Sequence, residues 1–508
     1  MKEGSFFKLI KPEKELVYLK NKPAVYWEKK GQDFALSILD YVSKTVPAYK
    51  KFLKNKKVNL NLVKNYDMFL GEIPSLGKED YLKFYKYLDL FPNKSLNNAQ
   101  TFSATSGSSG EPFFLPRGEE QDWQYEYISR IILKENFQVH KKKTLVVIGF
   151  GLGIWIGGIF TYKVFEKIAS ECDNLSIVPV GPNKESILSV IEKFGSYYDQ
   201  VVLCGYPPFI KDLVDEAKLH KVDWKKYKVK LFTAAEGLSE EFREYLVKEL
   251  SIKSPLTDIT NIYGTVELGT MAYETPLSNL IKSILFKNKE LIPVILNTLK
   301  IPTLAQYYPH HIHFETKDGD IIVSGFGSAI PLIKYKFPDK GEVIPFDEMV
   351  NRFKVQGIDL IKEARKAKIL DLIQKVPFVS VFGRTDSAVM FVGIVVYPEY
   401  FKHVFFHENL TNHVTGKFTL ETEYDADQNQ TLWVHVELHS ELEDSMSVVD
   451  EIQKLVFEAL LETSTEYQYL YGGGGSDYKK KLLPKVKLYS KGHVEHFNNK
   501  GKHKWTKK

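Results

Sequence analysis

Cysteine is nearly missing from this chain of 508 residues, which carries only Cys172 and Cys204. A disulfide-dense secreted scaffold is thereby excluded. One bridge or two free thiols remain, and two unpaired thiols in a reducing cytosol are the simpler reading. A marked excess of one charge is also missing: 69 Lys and Arg face 64 Asp and Glu, a formal net charge of +5. The lysines are scattered apart from the C-terminal "KGKHKWTKK". An anionic small substrate accounts for that balance as well as nucleic acid does, and no nucleic-acid partner is expected. The N-terminal "MKEGSFFKLIKPEKEL" has no sustained apolar core, so no secretory signal is expected and the location is read as cytoplasmic. Long apolar runs are scarce too. The uncharged stretch from Thr144 to Tyr162, preceded by Lys141, Lys142 and Lys143, approaches the length a bilayer needs. Glycines at 149, 151, 153, 157 and 158 divide it, which predicts a strand, a tight loop and a helix rather than a membrane span.

What is present is ordinary globular composition, 44% hydrophobic and 26% charged, on a chain long enough for more than one core. Up to about Leu90 the pattern is mostly helical. In "DFALSILDYVSKTVPAYKKFL" the residues Phe34, Ile38, Tyr41 and Val42 recur at helical spacing. From Thr144 the short runs "TLVVIG", "QVVLCGY" and "KVKLFTA" alternate with amphipathic "ESILSVIEKFG", "PPFIKDLVDEAKLH" and "SEEFREYLVKEL", the last with Ser239 as its cap. That alternation predicts an α/β fold with binding loops at the carboxyl ends of the strands. Beyond Gly383, "TLWVHVELH" and "PKVKLYS" read as strands and "SVVDEIQKLVFEALLETSTEYQYL" as one helix, together a small α+β unit. "GGGGS" at 472–476 resembles a flexible linker. No internal repeat is evident.

The loop "SATSGSSGEPFFLPR" concentrates small and hydroxylated residues between Ser103 and Arg117. Successive backbone N–H groups in such a turn form a concave donor array, to which Thr105, Ser106, Ser108 and Ser109 add hydroxyls while Gly107 and Gly110 permit the turn. No Gly-Lys-Ser/Thr follows, so it is not a Walker A loop. Standing alone, it is more often a plain flexible loop. "GFGLG" fails as a dinucleotide fingerprint, because Ile154 and Ile156 occupy the places of the last glycine. "PHHIHFE" puts His311 and His313 on one face of a strand, but no third ligand is evident and a metal is not expected there.

Further along come "NIYGTVELG" (261–269), "IPLIKYKFPDKGE" (330–342), "VFGRTDSAVMFVGIVVYPEYF" (381–401) and "NNKGKHKW" near the end. In this order the set resembles the acyl-adenylate-forming superfamily, most of all its branch of phenylacetate–CoA ligases and related capsule-biosynthesis proteins. The phosphate loop S-S-G-T-T-G-K-P of that family is matched by "TSGSSGEP", Y-G-x-x-E by "YGTVE", P-L-I-R-Y with its Asp by "PLIKYKFPD", and the G-R-x-D hinge by "GRTD". "GFGLGIWIGG" is similar to the substrate-pocket segment of the branch, and "AAEG" to its G-A-E-P.

The resemblance implies a large N-terminal adenylate-forming domain over 1–382, with a mostly helical lead-in over 1–95, and a small mobile α+β domain over 383–508. It implies ATP, Mg²⁺ and coenzyme A as cofactors, with Thr105 and Ser106 to Gly110 on the phosphates. Tyr263 and Gly264 would lie against adenine, Asp339 and Arg384 at the ribose, and Glu236 also at the nucleotide. Glu267 would hold Mg²⁺; Lys502, Glu267 and Thr265 form the catalytic set, and Asp386 is the hinge. Lys500 and Lys504 stand close by, and Gly501 is the reason for preferring Lys502. Phe150, Trp155, Ile156, Tyr206 and Ala235 would line the acyl pocket, favouring an aryl or hydrophobic carboxylic acid. The expected activity is conversion of that acid to acyl-AMP with release of pyrophosphate, then transfer to the thiol of coenzyme A, with a carrier-protein thiol or an amine as other acceptors. Glu111 stands where the family has lysine. It either points away from the phosphates or is compensated by Arg117, and it favours the alternative of a nucleotide-binding protein of surface-polymer assembly that has lost catalysis.

Overall fold

Pro47 divides the first long amphipathic stretch into two helices, Ala24–Thr45 and Pro47–Asn55. A proline is tolerated at a first helical position because that N–H has no intrahelical partner, and it drives the preceding residue extended. Val46 accordingly sits at φ −101° and ψ 109°. Phe34, Ile38 and Val42 are buried as their spacing predicts. The computed structural model describes residues 11–97, 99–104, 112–154, 156–298, 301–384, 388–401, 404–407, 409–410, 413–439, 446–497 and 505–507.

The strands are, in order, β1 (Thr101–Ala104), β2 (Phe114–Arg117), β3 (Thr144–Ile148), β4 (Leu175–Pro179), β5 (Gln200–Gly205) and β6 (Val229–Thr233). There follow β7 (Ile259–Thr265), β8 (Gly269–Tyr273), β9 (Thr303–Gln306), β10 (Ile312–Lys317), β11 (Asp320–Gly325), β12 (Leu332–Ile344) and β13 (Phe378–Arg384). The last five are β14 (Val389–Phe391), β15 (Ile394–Val396), β16 (Val414–Tyr424), β17 (Gln430–Leu438) and β18 (Lys485–Tyr489).

Eleven strands form one mixed sheet in the order β10-β11-β12-β13-β9-β8-β7-β6-β5-β3-β4. From β4 to β7 neighbours are parallel, and from β7 to β10 they are antiparallel. The parallel half explains its own sequence. Strands β3, β5 and β6 are buried at every position, so they read as unbroken apolar runs rather than alternating ones. Helices Ile156–Ala169, Lys184–Phe194, Pro207–Leu219 and Glu240–Glu249 make the connections, the last capped by Ser239 Oγ accepting from the Phe242 N–H. The candidate membrane stretch is thus strand, loop and helix. Among the described residues no helix is long and apolar enough to cross a membrane.

After β3 the chain first goes to β4 at one edge and then to β5 on the other side, so direction reverses between β3 and β5. A crevice opens at such a reversal, outside the carboxyl ends of the strands. Beyond β13 the chain builds a small α+β unit in which β16 pairs antiparallel with β17, and β17 parallel with β18. It shares a buried apolar cluster with the parallel half: Tyr206 and Phe209 belong with Phe391, Val396 and Tyr478.

Two expectations are corrected here. The stretch read as one helix is two, Met446–Thr463 and Thr465–Gly473, because Ser464 turns extended and its Oγ accepts from the Tyr467 N–H to start the second. "GGGGS" is not a linker: Gly472 and Gly473 finish that second helix, and Gly475 stands at the N-cap of helix Ser476–Leu482. Cys172 and Cys204 are free thiols, and burial pushes that of Cys204 far up.

Candidate functional site

A cavity of about 850 Å³ opens where the carboxyl ends of β3, β5, β6 and β7 face β12 and the small unit. It is lined by Phe150 and Ile156 after β3, Tyr206 after β5, Ala235 and Glu236 after β6, and Tyr263, Gly264, Thr265 and Glu267 at the end of β7 and beyond. Asp339 of β12 completes the wall. Ten of the residues expected at the site therefore share one space, as the reversal of strand order requires. Gly158 lets the glycine-rich segment fold tightly, since a Cβ there would lie 2.2 Å from the Gly151 carbonyl oxygen.

The turn between β7 and β8 is equally close. A Cβ on Gly264 would stand 2.5 Å from the Gly269 carbonyl oxygen, so the position after Tyr263 accepts only glycine. Thr265 Oγ1 accepts from the Leu268 N–H at 3.2 Å and thereby closes the turn that carries Glu267. The Tyr263 hydroxyl donates to Asp339 Oδ2 at 2.7 Å. Asp339 pairs in register with Arg384 across β12 and β13, so the backbones of both ribose candidates are neighbours. Glu267 lies beside the hydroxyl of buried Tyr335, whose ionisation is driven up by burial and by the charge of Glu267. Tyr335 is the residue that the reading of "PLIKYKFPD" passed over, although it lies inside the motif.

Arg117 braces this wall from behind. Its Nε donates to the Gly327 carbonyl at 3.0 Å, its two terminal nitrogens to Ser103 Oγ and the Val266 carbonyl, and its guanidinium lies 4.7 Å over the Phe160 ring. Burial pushes its pKa down to about 10, opposed by the charges of Asp122 and Glu267, so it stays a cation at neutral pH. Arg117 thus ties β1 and β2 to the β7–β8 turn.

Glu236 differs from its neighbours. Ala235 holds φ +76°, a strained value for a residue with a Cβ, and this turns the next side chain toward the small unit. Its carboxylate accepts from the Gly393 N–H and, at 3.1 Å, from the Tyr424 hydroxyl. Burial raises its pKa to about 7 against the pull of those two donors. Three further contacts close the seam: Tyr206 Oη to Tyr478 Oη at 2.9 Å, Lys481 Nζ to Asp212 Oδ1 at 2.8 Å, and Lys211 Nζ to Asn429 Oδ1 at 2.6 Å.

The small unit also contributes Val392, Tyr424, Gln430, Glu466 and Leu470 to the lining, none of which the sequence reading singled out. Thr105, Ser106, Gly107, Ser108, Ser109, Gly110, Glu111, Trp155, Asp386 and Lys502 lie outside the described residues, as does the side chain of Arg384. His311 and His313 do not converge: His313 Nε2 is 2.9 Å from Tyr66 Oη, whereas the His311 ring packs on Trp123 and Tyr127 at 4.6 and 4.3 Å.

No family model and no curated protein matches the sequence. Among solved structures, a 2-hydroxyisobutyryl-CoA ligase in complex with 2-HIB-AMP and CoA, in the thioesterification state, is similar with a TM-score of 0.61. The identity is 12%, over 100% of this chain and 96% of that one. The same ligase in an open conformation gives 0.55 at 12% identity, over 100% of this chain and 99% of that one. In the postadenylation state with R3-HIB-AMP it gives 0.53 at 12%, over 100% and 95%. The likeness is one of fold, and it extends over both the large mixed α/β part and the small α+β part.

Proposed function

We propose that this chain activates a small carboxylic acid with ATP and transfers the acyl group to a thiol. In the first step a carboxylate oxygen attacks the α-phosphorus of ATP. The bond from that phosphorus to the bridging oxygen breaks, and pyrophosphate leaves. In the second step a thiol attacks the acyl carbonyl carbon and displaces AMP, with the thiol proton lost to solvent or to a nearby base. The observation that carries this reading is the shared cavity: nucleotide-type residues Tyr263, Asp339 and Glu267 and apolar Phe150, Ile156 and Tyr206 face the same space. A ligase of similar fold is described with an acyl-AMP and CoA, which supports the same sequence of steps here.

Roles follow from chemistry. The Tyr263 ring offers a flat apolar face to adenine, and its hydroxyl orients Asp339 to accept from ribose hydroxyls. Glu267, an oxygen ligand on a fixed turn, would hold Mg²⁺, which supplies charge neutralisation at the phosphates. Lys502 would stabilise negative charge at the α-phosphate, a contribution of about 3 kcal/mol for one well-placed donor. Phe150, Ile156 and Tyr206 favour an aryl or hydrophobic acid, in keeping with the phenylacetate–CoA ligase branch. Residues 1–382 and 383–508 would act as the large and small domains with Asp386 as the hinge, coenzyme A or a carrier-protein thiol entering once Lys502 has left.

Carboxylate-dependent exchange of labelled pyrophosphate into ATP, scanned over a panel of acids, is the test. Exchange with at least one aryl or aliphatic acid, abolished in Lys502→Ala with ATP binding retained, is the expected result. ATP binding without exchange for any acid would leave a nucleotide-binding protein that has lost catalysis and would overturn the proposal.

A further inference from the structure

The small unit holds a second cluster of chemistry, distinct from the residues that line the cavity. Glu421 of β16, His435 of β17 and His496 beyond β18 bring a carboxylate oxygen and two imidazole nitrogens within 4.8 Å of one another. His435 is buried, its side chain 5% exposed. Its Nδ1 lies 2.9 Å from the Tyr489 hydroxyl, and a proton donated there leaves the Nε2 lone pair free. Nε2 stands 3.0 Å from Glu421 Oε2 yet makes no hydrogen bond with it. The His496 ring stacks on that of His435 at 4.2 Å, and its buried Nδ1 also has no hydrogen-bond partner. The buried Nδ1 of His493 is in the same condition, its ring 5.7 Å from that of His496. Three buried ring nitrogens left without partners are expensive, since each forfeits the hydrogen bond it had in water.

We propose that Glu421, His435 and His496 form a binding site for one divalent transition-metal ion, Zn²⁺ being the best match. Two imidazoles and a carboxylate are a borderline donor set that suits zinc and excludes the hard, all-oxygen preference of Mg²⁺ and Ca²⁺. Ligands about 2.0–2.1 Å from a tetrahedral ion lie about 3.3 Å apart, close to the Glu421–His435 separation. Tyr489 supplies the outer hydrogen bond that orients a liganding histidine. Lys507 does not occupy the site: its Nζ is 2.7 Å from Glu495 Oε1 and 3.7 Å from the other Glu421 oxygen, Oε1.

The position gives the ion a task. Residues 505–507 return beside β16, Leu420 N–H donating to the Trp505 carbonyl and Lys507 N–H to that of Leu420. The ion would join β16 and β17 to the segment after β18 that carries His496, six positions before Lys502 in the sequence. This consequence rests on the proposed function, but the site itself does not.

Equilibrium dialysis of the untagged full chain against Zn²⁺, with metal counted by mass spectrometry, tests the site without any turnover. One Zn²⁺ per chain is expected. Glu421→Gln and half-buried His496→Ala should each weaken it by at least about a hundredfold, since even outer-shell changes cost up to that much. Loading the wild type with Co²⁺ should give the intense visible bands of a four-coordinate ion, absent in His496→Ala. Circular dichroism of the two variants keeps folding separate from binding. Folded variants that still take up one Zn²⁺ at wild-type strength, or a wild type that takes up none, overturn the assignment. So does a loss confined to His310→Ala, because Glu15, His310 and His311 form another close trio of potential ligands.

Discussion

Carboxylates on the cavity wall and carboxylates in the core behind it are held by different donors. In the core, Glu274 and Glu240 are locked by Arg243 and Lys282: Arg243 reaches Glu274 at 2.7 Å and Glu240 at 3.1 Å, and Lys282 reaches them at 2.7 and 3.2 Å. All four are buried, and two positive charges balance two negative ones. On the wall, Asp339 accepts from Tyr263 and Glu236 from Tyr424, while Glu267 lies beside the Tyr335 hydroxyl. A cation donor cancels the charge it binds. A neutral hydroxyl fixes the position of a carboxylate and leaves its charge in place, which the proposed Mg²⁺ and ribose contacts would use. The core arrangement is electrically complete, and under the proposed function the wall arrangement would be completed by a ligand.

The harshest way to break the comparison is to remove one cation from the core set. Lys282→Met leaves Glu274 and Glu240 sharing Arg243 in a buried site, and should destabilise the chain by about 3–5 kcal/mol. Calorimetry should show a clear fall in Tm, with pyrophosphate exchange per folded molecule unchanged. Next in size, Glu267→Gln keeps the size of the side chain and the contact with Tyr335 but removes the charge. Exchange activity should fall about a hundredfold or more, while Tm stays close to wild type. If Glu267→Gln destabilises as much as Lys282→Met, the two classes of carboxylate are not distinct.

Glu236 sharpens the comparison because it is a wall acid turned to the seam. Its folded pKa, raised by burial to about 7, exceeds the ordinary carboxylate value, so the folded state binds the proton more tightly than the unfolded chain does. Stability from this group is therefore full below about pH 4.5 and is lost as pH rises toward 7. Glu236→Gln mimics the protonated form. It should match the wild type below about pH 4 and exceed it by up to about 3 kcal/mol at pH 8, read from Tm across that range. Gly393, Tyr424, Tyr206 and Tyr478 face this carboxyl and bring no cation of their own.

The wall was legible in the sequence to the extent that it is made of contiguous motifs. "YGTVE" and "PLIKYKFPD" each lie on one strand and its turn, so the resemblance of these two short motifs was enough to name Tyr263, Glu267 and Asp339. The apolar runs of β3, β5 and β6 announced the parallel half for the same reason. The seam could not be read that way. Glu236 and Tyr424 are 188 positions apart, and only the packing of the small unit joins them. His435 and His496 likewise meet because β18 runs parallel beside β17, a pairing that no short spacing encodes. Ser464 misled because the apolar period continues across it, while one hydroxyl finds a better partner by starting a new helix.

The smallest expected effect isolates the hydroxyl itself. Tyr263→Phe keeps the ring that would face adenine and deletes only the donor 2.7 Å from Asp339 Oδ2. A hydrogen bond to a charged acceptor is worth about 1.5–3 kcal/mol, but water or a ribose hydroxyl can take the vacated place, so a net loss of about 1 kcal/mol is expected. That corresponds to a KM for ATP raised about fivefold with kcat nearly unchanged, because Asp339 would act on the bound nucleotide and not on the reacting phosphorus. Tyr263→Ala, which removes the ring as well, should cost clearly more. Equal effects of the two variants would assign the whole contribution to the hydroxyl, and an equal fall in kcat would place Asp339 at the chemical step rather than at the sugar.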